Sequence, residues 1–269
     1  MARIVDRGQA LAGLTAMAVV FCLGSLPATA QDSDDSSTMS STDDGWTFGL
    51  APYVWTAGIS GNVAAFGAPT ANIDVSPVDV LEDLDMAFMG VAEARYGRWG
   101  LFMDIVYSDV STDSKNTPGP LFGSASVTAE TFFVTPMLEY QAIDNGWSEL
   151  YPMAGVRVWY SKTELSLTSG LLNGRTFSDD ATWVDPTIGL RGRIKLDRNI
   201  WLTGWGIIGG FDVDHDQFMW DVFGGVTYGF NDWASAVVGY RATGTDYSDN
   251  GYVYDITMQG PVIGAVFRF

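Results

Sequence analysis

One cysteine and one histidine are all that this chain offers of the two most reactive side chains. The cysteine, Cys22, lies in an N-terminal stretch that reads as removable, so the mature chain has neither disulfide nor thiol chemistry. His215 is the sole imidazole, and any general-base chemistry at neutral pH would have to run through it. No apolar run reaches the roughly 18 residues of a membrane-spanning helix. Basic residues are scarce, 14 Lys and Arg against 32 Asp and Glu, for a formal net charge of −18. That balance excludes holding nucleic acid or anionic lipid through bulk charge.

What remains is rich in glycine (31) and in rings, with 10 Trp, 11 Tyr and 15 Phe. Residues 1–30 read as a secretory signal peptide: Arg3 and Arg7 form the basic start, an apolar stretch follows, and Ala28-Thr29-Ala30 makes a small-residue cleavage site. Its removal takes two basic residues and one acidic one, leaving 12 against 31. Residues 31–45 are Ser, Thr and Asp with almost nothing apolar, the composition of a disordered acidic leader on the periplasmic side. Residues 46–269 form the third region. With no spanning helix available, they can cross a membrane as a closed barrel and in no other way.

The alternation of period two supports that reading. Ten strands are expected, at 46–57, 85–96, 99–110, 124–140, 147–163, 180–196, 200–213, 218–230, 233–245 and 252–269. The fold class is therefore an all-β, antiparallel up-and-down transmembrane barrel. Its first extracellular loop carries a short insertion, a hairpin (61–66 with 71–75) and a helical turn (77–84). In the third strand Trp99, Leu101, Met103, Ile105 and Tyr107 share one face, an apolar centre with an aromatic at each end, as a lipid-facing strand requires. Short turns alternate with longer loops, and an even strand number puts both termini in the periplasm.

The opposite parity fills the lumen. Its acidic candidates are Glu93, Asp104, Asp185, Asp221 and Asp255; its basic ones are Arg95, Arg157, Arg191, Arg193, Lys195, Arg241 and Arg268. Mixed signs in a narrow, poorly hydrated space point to a cross-lumen network of ion pairs. A ten-stranded cylinder lies near the eight-stranded size that side chains fill. Two alternatives stay open: a narrow polar channel for small solutes, and a pocket for an apolar ligand along Trp205, Ile207 and Phe211. Two positions resist the scheme. Glu130 and Glu139 fall on opposite parities of one strand, so one lies beyond the membrane or a bulge intervenes. Asp255 shares parity with outward Phe269 unless a bulge near Gly260-Pro261 re-phases it.

The excess acid falls in the leader and loops, notably Asp74, Asp79, Glu82, Asp83, Asp85, Asp212, Asp214 and Asp216. Hard divalent cations take such oxygen ligands and would bridge to lipopolysaccharide phosphates, Asp212, Asp214 and Asp216 being the weak candidates. Their spacing matches no defined metal loop, and solvated loops are the plainer reading. No cofactor is expected.

The last residues, QGPVIGAVFRF, place Ile263, Phe267 and Phe269 on one face and end flush on an aromatic. This ending resembles the recognition strand by which bacterial outer-membrane barrels reach their assembly machinery. The last fifty residues, together with Tyr53-Val54-Trp55 and residues 86–110, resemble a widespread family of uncharacterised bacterial outer-membrane β-barrel proteins, small OmpA-like or porin-like barrels. The resemblance implies an outer-membrane barrel set in lipid and lipopolysaccharide. It carries no activity to transfer. Trp205 and Ile207 depart from the polar inward residues expected there and argue against a shared polar pore. A monomer is expected, with a largely filled lumen and an envelope structural or surface-interaction role.

Omptin proteases are also ten-stranded barrels, with Asp–His and paired Asp groups on opposing rims. Asp83 with Asp85 and Asp214 with His215 offer a similar placement here. Adjacent residues on a strand point to opposite faces, however, so Asp214 and His215 do not form that pair by spacing. An enzyme is not expected, and an omptin-like protease is the third reading.

Overall fold

Successive side chains of an extended strand point to opposite faces, and β5 (Trp99–Lys115) follows that rule closely. Phe102, Asp104 and Val106 are buried in the interior, whereas Trp99 and Leu101 face outward. The computed structural model describes residues 45–115, 124–168 and 174–269. The expected signal peptide and nearly all of the expected leader lie outside the described residues.

The remaining elements are β1 (Trp46–Trp55), β2 (Gly58–Ala64), β3 (Ala71–Val75), α1 (Pro77–Glu82), β4 (Leu84–Tyr96) and β6 (Ser124–Tyr140). They continue as β7 (Ile143–Asp144), β8 (Ser148–Thr168), β9 (Arg175–Lys195), β10 (Ile200–Val213), β11 (Asp216–Gly229), β12 (Ala234–Asp249) and β13 (Tyr252–Arg268). Antiparallel pairing runs from β1 through β4, β5, β6, β8, β9, β10, β11 and β12 to β13, which returns to β1 and closes the cylinder. β2 continues the β1 stave, so the barrel has ten staves as the sequence indicates. The last stave meets the first at the rim, where Phe48 and Phe269 exchange two backbone hydrogen bonds of 3.0 and 2.9 Å.

The outer surface is banded. Trp46, Tyr96, Trp99 and Tyr140 stand side by side in register across β1, β4, β5 and β6. Trp147, Tyr228, Phe230 and Trp233 lie exposed on the same end of the staves. Phe88, Tyr107, Phe132 and Tyr160 form a second register row across β4, β5, β6 and β8. Two residues further out comes a charged row, Asp109, Glu130, Lys162 and Asp180. From Trp99 to Tyr107 a strand tilted about 40° climbs about 20 Å, close to the apolar band of a transmembrane barrel. Between the rows the outward side chains are Leu101, Leu138, Val156, Ile188, Leu190, Val222, Val238 and others, all of them exposed. A closed cylinder satisfies every ladder hydrogen bond internally, and such a belt belongs in a bilayer.

Short turns close one end, the end expected to face the periplasm. Asn145 Oδ1 accepts the N–H groups of Trp147 (3.2 Å) and Ser148 (2.8 Å), and Asn231 Oδ1 those of Trp233 (3.1 Å) and Ala234 (2.8 Å). At the other end β5, β6, β8 and β9 rise well beyond the charged row.

Four expectations are corrected or sharpened. The hairpin of the first loop is part of the wall: β2 pairs with β13 from Gly58↔Gln259 to Ala64↔Val253. Gly260 permits this junction, since a Cβ there would stand 1.9 Å from the carbonyl oxygen of Thr56. No bulge re-phases β13, whose register with β12 runs unbroken through Gly260 and Pro261. Asp255 therefore faces outward and accepts a hydrogen bond from Asn62 Nδ2 at 3.1 Å, beyond the apolar belt. Glu130 lies in the outward charged row while Glu139 is buried inside, so the two parities need no bulge. Phe211 leaves the inward row of Trp205 and Ile207, because left-handed backbone at Gly210, Phe211 and Asp212 turns it to the surface.

Candidate functional site in the barrel lumen

Side chains occupy the lumen in three tiers. The middle tier is ionic and dry. Arg241 on β12 reaches across to Asp104 on β5 (Nη2 to Oδ2, 2.6 Å) and along the wall to Asp221 on β11 (Nη2 to Oδ2, 2.6 Å). Arg157 on β8 donates to the same Asp221 oxygen at 2.7 Å. Tyr53 accepts from Arg241 Nη1 at 2.6 Å and donates to Asp104 at 2.7 Å. Trp205 Nε1 donates to Asp221 at 2.9 Å, and Thr135 and Thr243 take further Arg157 donors at 2.7 and 3.2 Å. Asp185 lies in register opposite Arg157 on the neighbouring strand and is wholly buried. Phe133 stacks beneath both guanidiniums, 4.6 Å from Arg157 and 5.5 Å from Arg241. Asp104, Arg157, Asp221 and Arg241 are each at most 1% exposed. Charges so far from water persist only when their partners are complete, as here.

The periplasmic tier is ionic but wetter. Arg191 grips Glu139 through Nε and Nη2 at 3.0 and 2.8 Å and lies 3.2 Å from Glu93, which also pairs with Arg95. Arg193 forms a fork with Glu149, two bonds of 2.6 Å. Tyr151 lies between the two clusters: Arg95 and Arg191 each sit 4.4 Å from its ring centre, and its hydroxyl donates to Glu149 at 2.6 Å. Arg193 and Lys195 both approach the Trp201 ring, at 4.8 and 5.4 Å.

Towards the outside the lumen is aromatic. Trp159, Trp183 and Tyr247, from β8, β9 and β12, stack with ring centres 5.6 and 4.2 Å apart. Tyr254 packs edge-on against Trp183 at 5.7 Å. Two hydroxyl ties cross the lumen here, Tyr252 to Ser161 at 2.9 Å and Tyr254 to Thr131 at 3.0 Å. Trp159, Trp183 and Phe133 have no exposed surface at all.

Of the expected lumen charges, Glu93, Arg95, Asp104, Arg157, Asp185, Arg191, Arg193, Asp221 and Arg241 all face inward. The sequence left Glu139 undecided, and Glu149, Tyr53, Tyr151 and the whole aromatic tier were missed. Ile263, Phe267 and Phe269 share the lipid face, with Phe267 stacked 6.1 Å from Trp233.

The loop candidates do not assemble. Asp214 Oδ2 accepts the backbone N–H of Val184 at 3.0 Å, and exposed His215 stands 3.9 Å from Asp249 rather than against Asp214. Asp212, Asp214 and His215 all hold left-handed backbone in the β10–β11 turn. Among the described residues no three His, Cys, Asp or Glu side chains gather as a metal site.

No protein-family profile matches the chain, and no curated protein does. Solved structures do. The outer-membrane protease OmpT of Escherichia coli is similar at 12% identity with a TM-score of 0.56, over 87% of this chain and 100% of that one. The translocator domain of autotransporter NalP of Neisseria meningitidis aligns at 9% identity and a TM-score of 0.36, over 85% and 90%. Ail, the attachment invasion locus protein of Yersinia pestis, aligns at 14% and 0.32, over 84% and 99%. Closed staves, a lipid-facing belt between aromatic rows and short turns at one end give this chain the fold of the bacterial outer-membrane β-barrels.

Proposed function

We propose that this protein is a closed, non-conducting barrel with a structural or surface-interaction role in the envelope, and that it catalyses no reaction. One observation carries the reading. At the level of Arg241 the lumen is spanned by side chains that satisfy one another, and the aromatic stack lies directly outside it. An ion crossing here would have to separate buried pairs and part stacked rings. In this reading the barrel works as a monomer in outer-membrane lipid and lipopolysaccharide, delivered by the assembly machinery that reads Ile263, Phe267 and Phe269. The elongated β5–β6 and β8–β9 hairpins supply the external surface.

The test is single-channel recording of the refolded protein in a planar bilayer, with Arg191→Ala alongside and folding verified by heat-modifiable gel mobility. A silent bilayer for both proteins is the expected result. Discrete steps whose size changes in Arg191→Ala would replace this reading with a narrow channel. Cleavage of a peptide substrate that vanishes in His215→Ala would instead make it a protease.

A further inference from the structure

The filled lumen is not filled throughout. A cavity of about 380 Å³ opens at the periplasmic end, between the β9–β10 and β11–β12 turns, with Asn199 and Asn231 on its lip. Its inner end is Arg241, the start of the dry ionic tier. One wall is apolar: Trp205, Phe223, Val262 and Val266. Phe223 and Val262 are 6% and 4% exposed, and Trp205 and Phe223 pack with ring centres 4.4 Å apart.

The other wall is charged and mostly cationic: its arginines outnumber its two carboxylates, Glu93 and Asp232 of the β11–β12 turn. The arginines divide into two kinds. Arg191, Arg193 and Arg241 are committed to Glu139, Glu149, Asp104 and Asp221. Arg198 and Arg268 also line the cavity, yet neither guanidinium has an ion pair or hydrogen bond among the described residues. Both are exposed, whereas the less exposed Arg95, Arg157, Arg191, Arg193 and Arg241 each have a carboxylate partner. Two unmatched guanidiniums beside an aromatic and aliphatic wall are complementary to a molecule with an anionic head and an apolar body. A volume of this size lies at the small end of ligand pockets.

We infer that this vestibule is a binding site for a small amphipathic carboxylate taken from the periplasm, its head held by Arg198 and Arg268 and its body on Trp205, Phe223 and Val266. The inference rests on the closed reading in one respect: the ligand is held at a blind end and does not pass through. Because neither guanidinium takes part in an ion pair among the described residues, replacing it breaks none of the pairs of that network.

The experiment uses the full mature barrel in lipid nanodiscs, titrated with 4-phenylbutyrate and followed by tryptophan fluorescence, Trp201 and Trp205 being the nearest reporters. Saturable binding is expected. Each of Arg198→Gln and Arg268→Gln should weaken it about tenfold, the loss of one charge-assisted bond. 4-Phenylbutanol, which lacks the head, and butyrate, which lacks the body, should each bind at least tenfold more weakly. Three outcomes would overturn the inference: no saturation, equal affinity in the doubly substituted protein, or equal response to the alcohol, which signals partition into lipid. Heat-modifiable mobility confirms that each variant is folded. A silent bilayer with no phenylbutyrate binding removes the site and leaves the closed barrel; a conducting barrel that still binds does the reverse.

Discussion

The two halves of the lumen solve the same problem with different chemistry. Outward of Arg241 the interior is filled by stacked rings, Trp159, Trp183 and Tyr247, tied across by the Tyr252 and Tyr254 hydroxyls. Towards the periplasm it is filled by forked arginine–carboxylate pairs around Tyr151 and then gives way to a cavity. Rings exclude water and need few polar partners, which suits the end that faces the outside. Ion pairs in a partly hydrated space cost less to form and to break, which suits an end that holds a vestibule. The ionic middle tier joins the two, and it is where burial makes each charge most dependent on its partners.

The comparison can be broken most severely in the middle. Asp221 neutralises both Arg157 and Arg241, so Asp221→Asn leaves buried cations undercompensated and should cost about 3–5 kcal/mol. Urea titration followed by heat-modifiable mobility would show the midpoint falling sharply; an unchanged midpoint would mean the tier is hydrated. In the aromatic half Trp183→Ala should cost about 3–4 kcal/mol by opening a cavity in the stack, read from the same titration. Tyr252→Phe removes a single buried tie to Ser161 and should cost about 1 kcal/mol. The periplasmic half should resist best: Arg193→Ala breaks a partly exposed fork and should cost under about 1 kcal/mol. A loss in Arg193→Ala as large as that in Asp221→Asn would erase the contrast between wet and dry tiers. At the smallest scale, Asp212→Gly relieves a left-handed residue of the β10–β11 turn and should stabilise by roughly 0.5–1 kcal/mol.

How much of this was legible in the sequence follows from the same division. Alternation assigns a face to each residue, so lumen charges such as Asp104 and Arg241 were readable strand by strand. Pairing across the lumen was not, because residues such as Arg241 and Asp104 lie 137 positions apart and parity carries no information about height. Glu139 was ambiguous because Glu130, on the other parity, had equal claim to the interior until the register placed it above the aromatic row. Glu149 sits at the first turn of its stave, where inside and outside are hardest to tell apart. The aromatic tier was invisible for a chemical reason: Trp on a barrel strand reads as a lipid-facing girdle, and Trp159 and Trp183 use the same residue on the other face. The junction of β1 and β2 was hidden too, since its requirement is a missing Cβ on a distant strand, at Gly260.

That junction bears on how the molecule comes into being. β13 is the last strand of the chain, yet it hydrogen-bonds to β12 and to both halves of the opening stave. No earlier portion of the chain contains the seam, so a cylinder of this register cannot close without β13. Closure joins β13 to β1 and β2, and the step at Thr56 and Gly260 makes that fastening directional. β1 and β2 engage separate lengths of β13, so a slipped register would bring a side chain, instead of Gly260, against the Thr56 carbonyl. The seam thereby proofreads its own alignment.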